Sequence, residues 1–172
     1  MATRYGASVR TIRTGQQVHD GQRFAPYAVD VFCRNTSGGN LTGAPAGSDW
    51  VEIDWANYVD GLPFPIKKLT ASGSAANNAC LGIVHWQAGT VADAARCWVR
   101  VFGEHPYAKV EGTTDVAVGD SLTPDTTAGQ AIKAAAAPED NHVIGQALAA
   151  QAADSVVATR VFLSNPSGLV LA

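Results

Sequence analysis

The chain has 172 residues, of which 47% are hydrophobic and only 16% are charged, and its formal net charge is −3. An ordinary soluble domain carries roughly 25% charged residues, so part of this surface is expected to be covered by another molecule. The length allows one domain or two small, closely packed lobes. No apolar run approaches the roughly 20 residues of a membrane span, and residues 1–13 do not resemble a signal peptide. We therefore expect no membrane partner.

Short strand patterns recur along the chain and are separated by Gly, Pro and Asp. Residues 27–33 alternate between apolar and polar, and so do residues 50–55, where Trp50, Glu52 and Asp54 share one face. Further strands are predicted at residues 80–86, 96–102, 108–111, 116–118, 142–148 and 156–163. Many short strands with turns between them are typical of a β-barrel or a β-sandwich. The predicted fold class is therefore mainly β.

Proline and glycine mark the predicted interruptions. Pro65 belongs to a segment that is excluded from a central strand, and Pro106 is predicted to lie in a turn with His105. Residues 128–137 fit either one short helix or an extended edge segment. Residues 147–154 are the other helix candidate. Little helix is expected.

The sequence contains an internal echo. Leu81-Gly82-Ile83-Val84 leads through a turn to residues 99–102, and Ile144-Gly145-Gln146-Ala147 leads through a similar turn to residues 159–162. Each half reads as a hydrophobic strand with a glycine, a loop of small residues, and a strand that ends on Val-Phe. The echo fits two similar β units side by side, or one barrel with pseudo-symmetry.

Charge is unevenly distributed. Residues 1–34 contain five arginines against two aspartates, whereas residues 103–172 contain three basic and eight acidic residues. The arginines are spread out and lack lysines, so docking onto an acidic protein neighbour or a sister subunit is favoured over nucleic-acid binding. The candidate capsid or subunit contacts are basic and aromatic residues of the arm and apolar residues of the tail: Arg4, Tyr5, Arg10, Arg13, Arg23, Phe24, Leu169 and Leu171.

The residues that commonly carry chemistry form no recognisable motif. The histidines are not spaced as zinc ligands, and Cys33, Cys80 and Cys97 have no CxxC spacing. We expect the three cysteines to be small, buried, free thiols. The sequence lacks a Gly-x-Ser-x-Gly elbow. We therefore expect no enzyme activity, no cofactor and no metal site.

An alternative role rests on the tryptophans. Glu52 and Asp54 beside Trp50 could serve a glycosidase, and Trp50, Trp55 or Trp86 could stack on sugars. Structural decoration of strands and filling of the core or a subunit interface are favoured instead. A carbohydrate- or receptor-binding virion domain stays open as the second hypothesis.

The last third of the chain resembles a known family. Val116-Ala117-Val118-Gly119-Asp120-Ser121-Leu122 is followed by Ala128-Gly129, then by residues 142–148 (HVIGQAL), then by Val161-Phe162-Leu163. This order, over about residues 108–165, resembles the head decoration, or cement, proteins of tailed bacteriophages. In that family a V-x-x-G-D-x-L strand precedes a small-residue loop, an x-I-G-x-A-L strand and a last hydrophobic strand.

The resemblance implies a homotrimer on the outer surface of a phage capsid, made in the bacterial host cytoplasm, that ties major capsid subunits together without catalysis. It also divides the chain into three regions. These are a basic arm with the first strand (1–34), a Trp-rich β region (35–107), and a β region that resembles the cement proteins (108–172).

Overall fold

A computed structural model of the chain describes residues 9–13, 27–59, 63–70, 80–85, 89–134, 143–151 and 156–163. Within these residues the backbone forms twelve strands and one 3-10 helix, Trp55–Asn57, so the prediction of a mainly β chain is confirmed. The strands are β1 (Val9–Arg13), β2 (Tyr27–Asn35), β3 (Leu41–Thr42), β4 (Trp50–Ile53), β5 (Phe64–Lys68), β6 (Cys80–His85), β7 (Thr90–Val91), β8 (Arg96–Val110), β9 (Ser121–Pro124), β10 (Ala131–Lys133), β11 (Gly145–Ala147) and β12 (Val157–Leu163).

Five strands close into a first ring. Their order is β2-β5-β4-β6-β8, and β8 returns to pair with β2. β2 and β5 run parallel, and every other pair in the ring is antiparallel. β3 and β7 form a separate antiparallel ladder beside this ring. β1 extends the sheet by pairing with β2.

A second ring repeats this connectivity with β8 as its first strand. Its order is β8-β10-β9-β11-β12, and β12 returns to β8. β8 and β10 run parallel through one residue pair, Val110 with Ala131, and the other pairs are antiparallel. An antiparallel bridge joins Val116 and Gln151. In chain order this bridge occupies the same place in the second ring as the β3–β7 ladder occupies in the first. The echo read from the sequence therefore corresponds to two similar β units that share one strand.

Each ring contributes to its own apolar core. The first core contains Val31, Cys33, Val51, Cys97 and Val99 among other side chains that point into the first ring. The second contains Leu122, Ile144, Val161 and Leu163, together with Trp50, Leu69, Cys80 and Ile83 from strands and a turn of the first unit. The second core is therefore completed by side chains of the first unit, so the two rings pack against each other.

The shared strand β8 is longer than predicted. Two strands with a turn at His105 and Pro106 were expected, but residues 96–110 form one strand of 15 residues. Gly103 has a φ of +98°, a backbone conformation that glycine adopts readily. The pairing with β12 shifts register between Thr159 and Val161, opposite Pro106. A bulge is a position where a strand tolerates proline, so the turn prediction is wrong for a physical reason.

Other expectations also need correction. Pro65 lies in β5, between β2 and β4, near the start of the strand, where its carbonyl accepts from Asp54 N at 2.9 Å. Residues 116–118 form a bridge and a turn instead of a strand, and residues 147–151 contain no helix. Of the two readings of residues 128–137, the extended one holds for Ala131–Lys133. The predicted region boundary at 107/108 falls inside β8.

Two glycines of the echo are required by close backbone contact. A Cβ on Gly82 would overlap the carbonyl of Arg100, and a Cβ on Gly145 would lie 2.9 Å from the carbonyl oxygen of Phe162. Backbone atoms of a paired strand cannot move aside as a flexible side chain could. Both glycines therefore let the last strand of their ring approach closely.

We expect Gly82→Ala to lower the free energy of unfolding by about 2–4 kcal/mol and Gly145→Ala by about 1–3 kcal/mol, because the added methyl overpacks the strand pair. Urea denaturation measures both values. Gly39→Ala is the matched control, since a Cβ at Gly39 meets nothing within 4 Å and should change stability little. Equal stability of the three variants would contradict this account of the echo.

Candidate binding surfaces

Two of the predicted contact residues, Arg10 and Arg13, lie in the part of the chain that the structure describes. Arg10 and Arg13 lie in β1, where their backbones are in register with Asp30 and Tyr27 of β2. Part of the predicted arm is thus an edge strand of the sheet. The other predicted contacts lie outside the described residues: Arg4, Tyr5, Arg23, Phe24, Leu169 and Leu171.

An exposed aromatic patch lies where the chain leaves β4. We define it by Trp55, Tyr58, Val59 and Phe64. Trp55 is 62% exposed, Tyr58 43% and Val59 55%. The ring centroids of Trp55 and Tyr58 are 5.9 Å apart, and those of Tyr58 and Phe64 are 6.1 Å apart. Contiguous exposed apolar side chains of this size commonly mark a binding surface.

A buried carboxylate holds the turn under this patch. Asp54 Oδ2 accepts hydrogen bonds from Thr36 Oγ1 at 2.8 Å and from Asn57 Nδ2 at 2.6 Å. Burial raises the pKa of Asp54, but these hydrogen bonds and the nearby Lys67 outweigh it, and the pKa lies below its ordinary value. The carboxylate therefore stays ionised and fixes the turn, so the aromatic side chains are preorganised for binding.

The same turn explains why the tryptophan prediction failed in part. The alternation of residues 50–55 placed Trp55 on the face of Val51 and Ile53. β4 instead ends at Ile53, and Asp54 turns the chain into the 3-10 helix. Tyr58 and Phe64 were not identified from the sequence, because no regular period links their positions to that of Trp55.

The proposed glycosidase pair does not form an open site. Glu52 is buried, pairs with Lys67 at 3.2 Å and accepts from the backbone N of Thr70 at 3.2 Å. Trp50 is fully buried, and its Nε1 donates to Lys109 O at 2.9 Å. Trp50 therefore cannot stack on a sugar. Trp98 is half-buried against Phe32, with ring centroids 5.1 Å apart, and Trp86 lies outside the described residues.

A second surface feature is a groove beside β8 and β12. This shallow groove of about 320 Å³ is lined by Pro106, Val157 and three alanines (149, 150 and 158), together with the polar residues Gln151, Thr159 and Arg160. Val157 is 40% exposed at this groove. We assign the groove no ligand.

A buried polar network lies on the outer side of the first ring. Arg100 donates from Nε to Asp30 Oδ1 at 2.8 Å, from Nη1 to Glu104 O at 2.6 Å, and from Nη2 to His85 Nε2 at 2.8 Å. A guanidinium can only donate, so His85 Nε2 accepts. These contacts compensate the buried charge of Arg100 and join β2, β6 and β8.

His105 is held neutral beside this network. Its Nε2 donates to Val84 O at 3.1 Å, and its Nδ1 accepts from Tyr107 N at 3.2 Å. Burial, with lesser contributions from His85 and Arg100, lowers the pKa of His105 from 6.5 to about 3. A proton on Nδ1 would break the bond from Tyr107 and place a charge in the interior.

The cysteines are buried free thiols, as expected. Cys33 and Cys97 are cross-strand partners in β2 and β8. Burial raises the pKa of Cys80 and of Cys97 to about 12 and raises the pKa of Cys33 well above 9.0. Because the thiolate is the reactive form, these side chains act as apolar packing groups at neutral pH.

In the part of the chain that the structure describes, no three His, Cys, Asp or Glu side chains lie together as a metal site. Its helical content likewise includes no segment long and apolar enough to cross a membrane.

No family model matches the sequence, and no curated protein matches it. Among solved structures, the chain is similar to the head fiber gp8.5 N base of bacteriophage phi29, at 16% sequence identity and a TM-score of 0.45. The match covers 81% of this chain and 96% of that chain. At this level the likeness establishes neither a common fold nor a common function.

His105 should make the chain sensitive to acid. Below pH 6.5 the unfolded chain binds a proton at this residue, whereas the folded chain binds it only near pH 3. The unfolded state therefore gains protons first, and the free energy of unfolding should fall as pH drops from about 6.5, by up to about 1.4 kcal/mol per pH unit. Urea denaturation between about pH 7.5 and 4.5, above the ordinary titration range of carboxylates, measures this slope.

His105→Gln is the matched variant, because an amide can donate and accept but does not titrate. It should be less stable than the natural chain at neutral pH and show a flatter pH profile. Identical slopes for the two proteins would contradict the assignment to His105.

Proposed function

We propose that this chain is a structural virion protein that binds the outer surface of a bacteriophage capsid and stabilises the shell by bridging major capsid subunits. The resemblance of residues 108–165 to phage cement proteins supports the capsid as the partner. The exposed aromatic patch is the single structural observation that carries the proposal. It offers a rigid apolar surface of the kind found at the centre of protein interfaces.

The patch can supply substantial binding energy. Tryptophan and tyrosine side chains each bury about 150–250 Å² when fully covered. Covering the exposed parts of Trp55 and Tyr58 would remove on the order of 200 Å² of mostly apolar surface from water, which corresponds to about 5 kcal/mol before association costs. A homotrimer, as the resemblance implies, would engage the lattice at three such points and multiply the effect.

The proposed mechanism is thermodynamic linkage, with no catalytic step and no cofactor. A protein that binds the assembled lattice and not the dispersed subunits adds its binding free energy to the stability of the shell. The protein would be made in the bacterial cytoplasm and would act on the surface of the virion.

We expect Trp55→Ala to weaken attachment to capsids about 10- to 100-fold, because truncation of a central aromatic residue commonly costs about 1.4–3 kcal/mol. Co-sedimentation with particles that lack the protein measures the affinity. Val118→Ala is the control, since Val118 is 66% exposed but lies in a turn of the second unit. Trp55→Ala should unfold at nearly the natural temperature, because the side chain is largely solvated. If Trp55→Ala attached to capsids as tightly as the natural chain, the patch would not be part of the interface.

We also expect particles stripped of this protein to release their genome at a lower temperature than complete particles, and to recover when purified protein is added back. Thermal release of DNA, followed with an intercalating dye, measures the difference. The Trp55→Ala protein should restore stability only at higher concentration. Equal release temperatures for bare and decorated particles would refute the stabilising role.

The alternative is a carbohydrate- or receptor-binding domain of a virion. The specific observation in its favour is the same exposed indole of Trp55, which follows Asp54, the partner of the polar side chains of Thr36 and Asn57, and could stack on a sugar ring. Binding of the natural chain to host glycans, lost in Trp55→Ala, with no affinity for capsids, would favour this alternative.

A further inference from the structure

Two arginines lie directly opposite each other on the outside of the first ring. Arg34 of β2 is in register with Arg96 of β8. Their neighbours Cys33 and Cys97 point into the first core, so the two arginines point outward. Arg96 is exposed and Arg34 is half-buried. Like charges at directly opposite positions of an antiparallel pair repel each other.

Neither arginine has a compensating carboxylate among the described residues. Every other Lys or Arg whose side chain is described forms an ion pair: Lys67, Lys68, Arg100, Lys109, Lys133 and Arg160. Arg34 Nε is buried and has no hydrogen-bond partner. Asp93, three residues before Arg96, instead accepts from Gly38 N at 3.1 Å. The arginine pair, Arg34 and Arg96, is therefore a cationic surface with unused donors.

The surroundings of the arginine pair favour binding of a carboxylate. The next outward-facing cross-strand pair is Phe32 with Trp98, whose rings lie 5.1 Å apart. An anion that approaches the two guanidinium groups would be partly screened from water by these rings, and its attraction would be stronger than at an open surface. Arginine also binds carboxylates through two parallel hydrogen bonds.

Two carboxylates that form no ion pair among the described residues lie at the far end of β8. The acidic turn, residues 111–115, follows the last residue of that strand. The Glu111 carboxylate accepts from Thr113 N at 3.0 Å, which orders the turn, and Asp115 is exposed. Neither carboxylate forms an ion pair among the described residues, although Lys133, which pairs with Asp120 at 2.8 Å, also donates to the backbone O of Asp115 at 3.3 Å.

We propose that the arginine pair of one copy binds the acidic turn of a second copy, head to tail. Within one chain the two surfaces lie at opposite ends of the 15-residue β8, and no ion pair joins them among the described residues. The contact joins two different surfaces of the chain. When it repeats from copy to copy, the rotation between neighbouring copies decides whether the assembly closes into a ring or continues as a fibre. This inference rests on the homotrimer within the proposed function and names the contact that would close it.

Charge exchange tests the contact in solution, without capsids. Sedimentation velocity of the natural chain at low salt should show association that weakens on the order of 0.5 M salt. Arg96→Glu and Asp115→Arg should each weaken association at least tenfold, and the double variant, with both charges exchanged, should recover it. Arg160→Glu is the matched control, because Arg160 is an exposed arginine with a local partner, Glu104, and its change should leave association unchanged.

A second measurement shows that the variants are folded and separates this role from a structural one. In dilute monomer, Arg96→Gln should raise the melting temperature by about 1–3 °C, because the cross-strand repulsion is removed, while it weakens association. If Arg96 were needed for folding, Arg96→Gln would lower both the melting temperature and the association.

Three outcomes would overturn the proposal: a natural chain that stays monomeric at about 1 mM, Arg96→Glu that associates normally, or a double variant that fails to recover. Because no capsid is present, these outcomes are independent of whether the chain binds a shell.

Discussion

The structure depends on one constraint, which is that a single strand must complete two rings. β8 gives Cys97 and Val99 to the first core and Ala108 and Val110 to the second. Between these pairs the strand has to turn its apolar face, and this is where Gly103 and the bulge at Pro106 lie. Where β8 passes from the first core to the second, backbone and side-chain polar groups are buried away from water. Arg100 and His105 satisfy them through Glu104 O, Val84 O and Tyr107 N, and buried polar groups that lacked such partners would cost far more than the bonds contribute.

The rings are also joined away from β8, which fixes the positions of the exposed surfaces. Trp50 belongs to a strand of the first ring, yet its side chain lies in the second core and its Nε1 binds the backbone of β8. Beside it the buried Asp49 pairs with Lys68 and with Lys109, one from each side of the junction. Gly129 donates to Leu69 O and accepts from Trp50 N, so a loop of the second unit is hydrogen-bonded to the first. Relative motion of the rings would break these buried contacts together.

Much of this arrangement could be read from the sequence, and the failures have physical causes. Alternation predicted residues 27–33, 96–102 and 156–163, because each of these strands has one face on a core. The glycine echo was meaningful because Gly82 and Gly145 both face the backbone of the last strand of their ring. Residues 128–137, which contain β10, were predicted to be either a helix or an extended segment, and alternation did not predict β9, because both strands are short and alternate little. The two proline errors share a cause, which is that the pairing partner of each proline is distant in sequence. Pro106 lies in a bulge of β8 opposite Arg160 of β12, and Pro65 contributes only its carbonyl to Asp54.

The exposed binding surfaces were harder to predict from the sequence than the core. Trp50 and Trp55 are five residues apart in one predicted strand, but one is fully buried and the other is 62% exposed. The difference arises because Asp54 ends the strand, using hydrogen bonds from Thr36 and Asn57 that no local pattern reveals. Folding alone gives no reason to expose an indole, or to place opposite each other two arginines that have no carboxylate partner among the described residues. The opposed arginines repel each other in the isolated chain, and such costs are commonly retained where binding to another molecule offsets them. Under the proposed function the low charge content has the same explanation, since a surface that is covered by binding partners needs fewer charges to stay soluble.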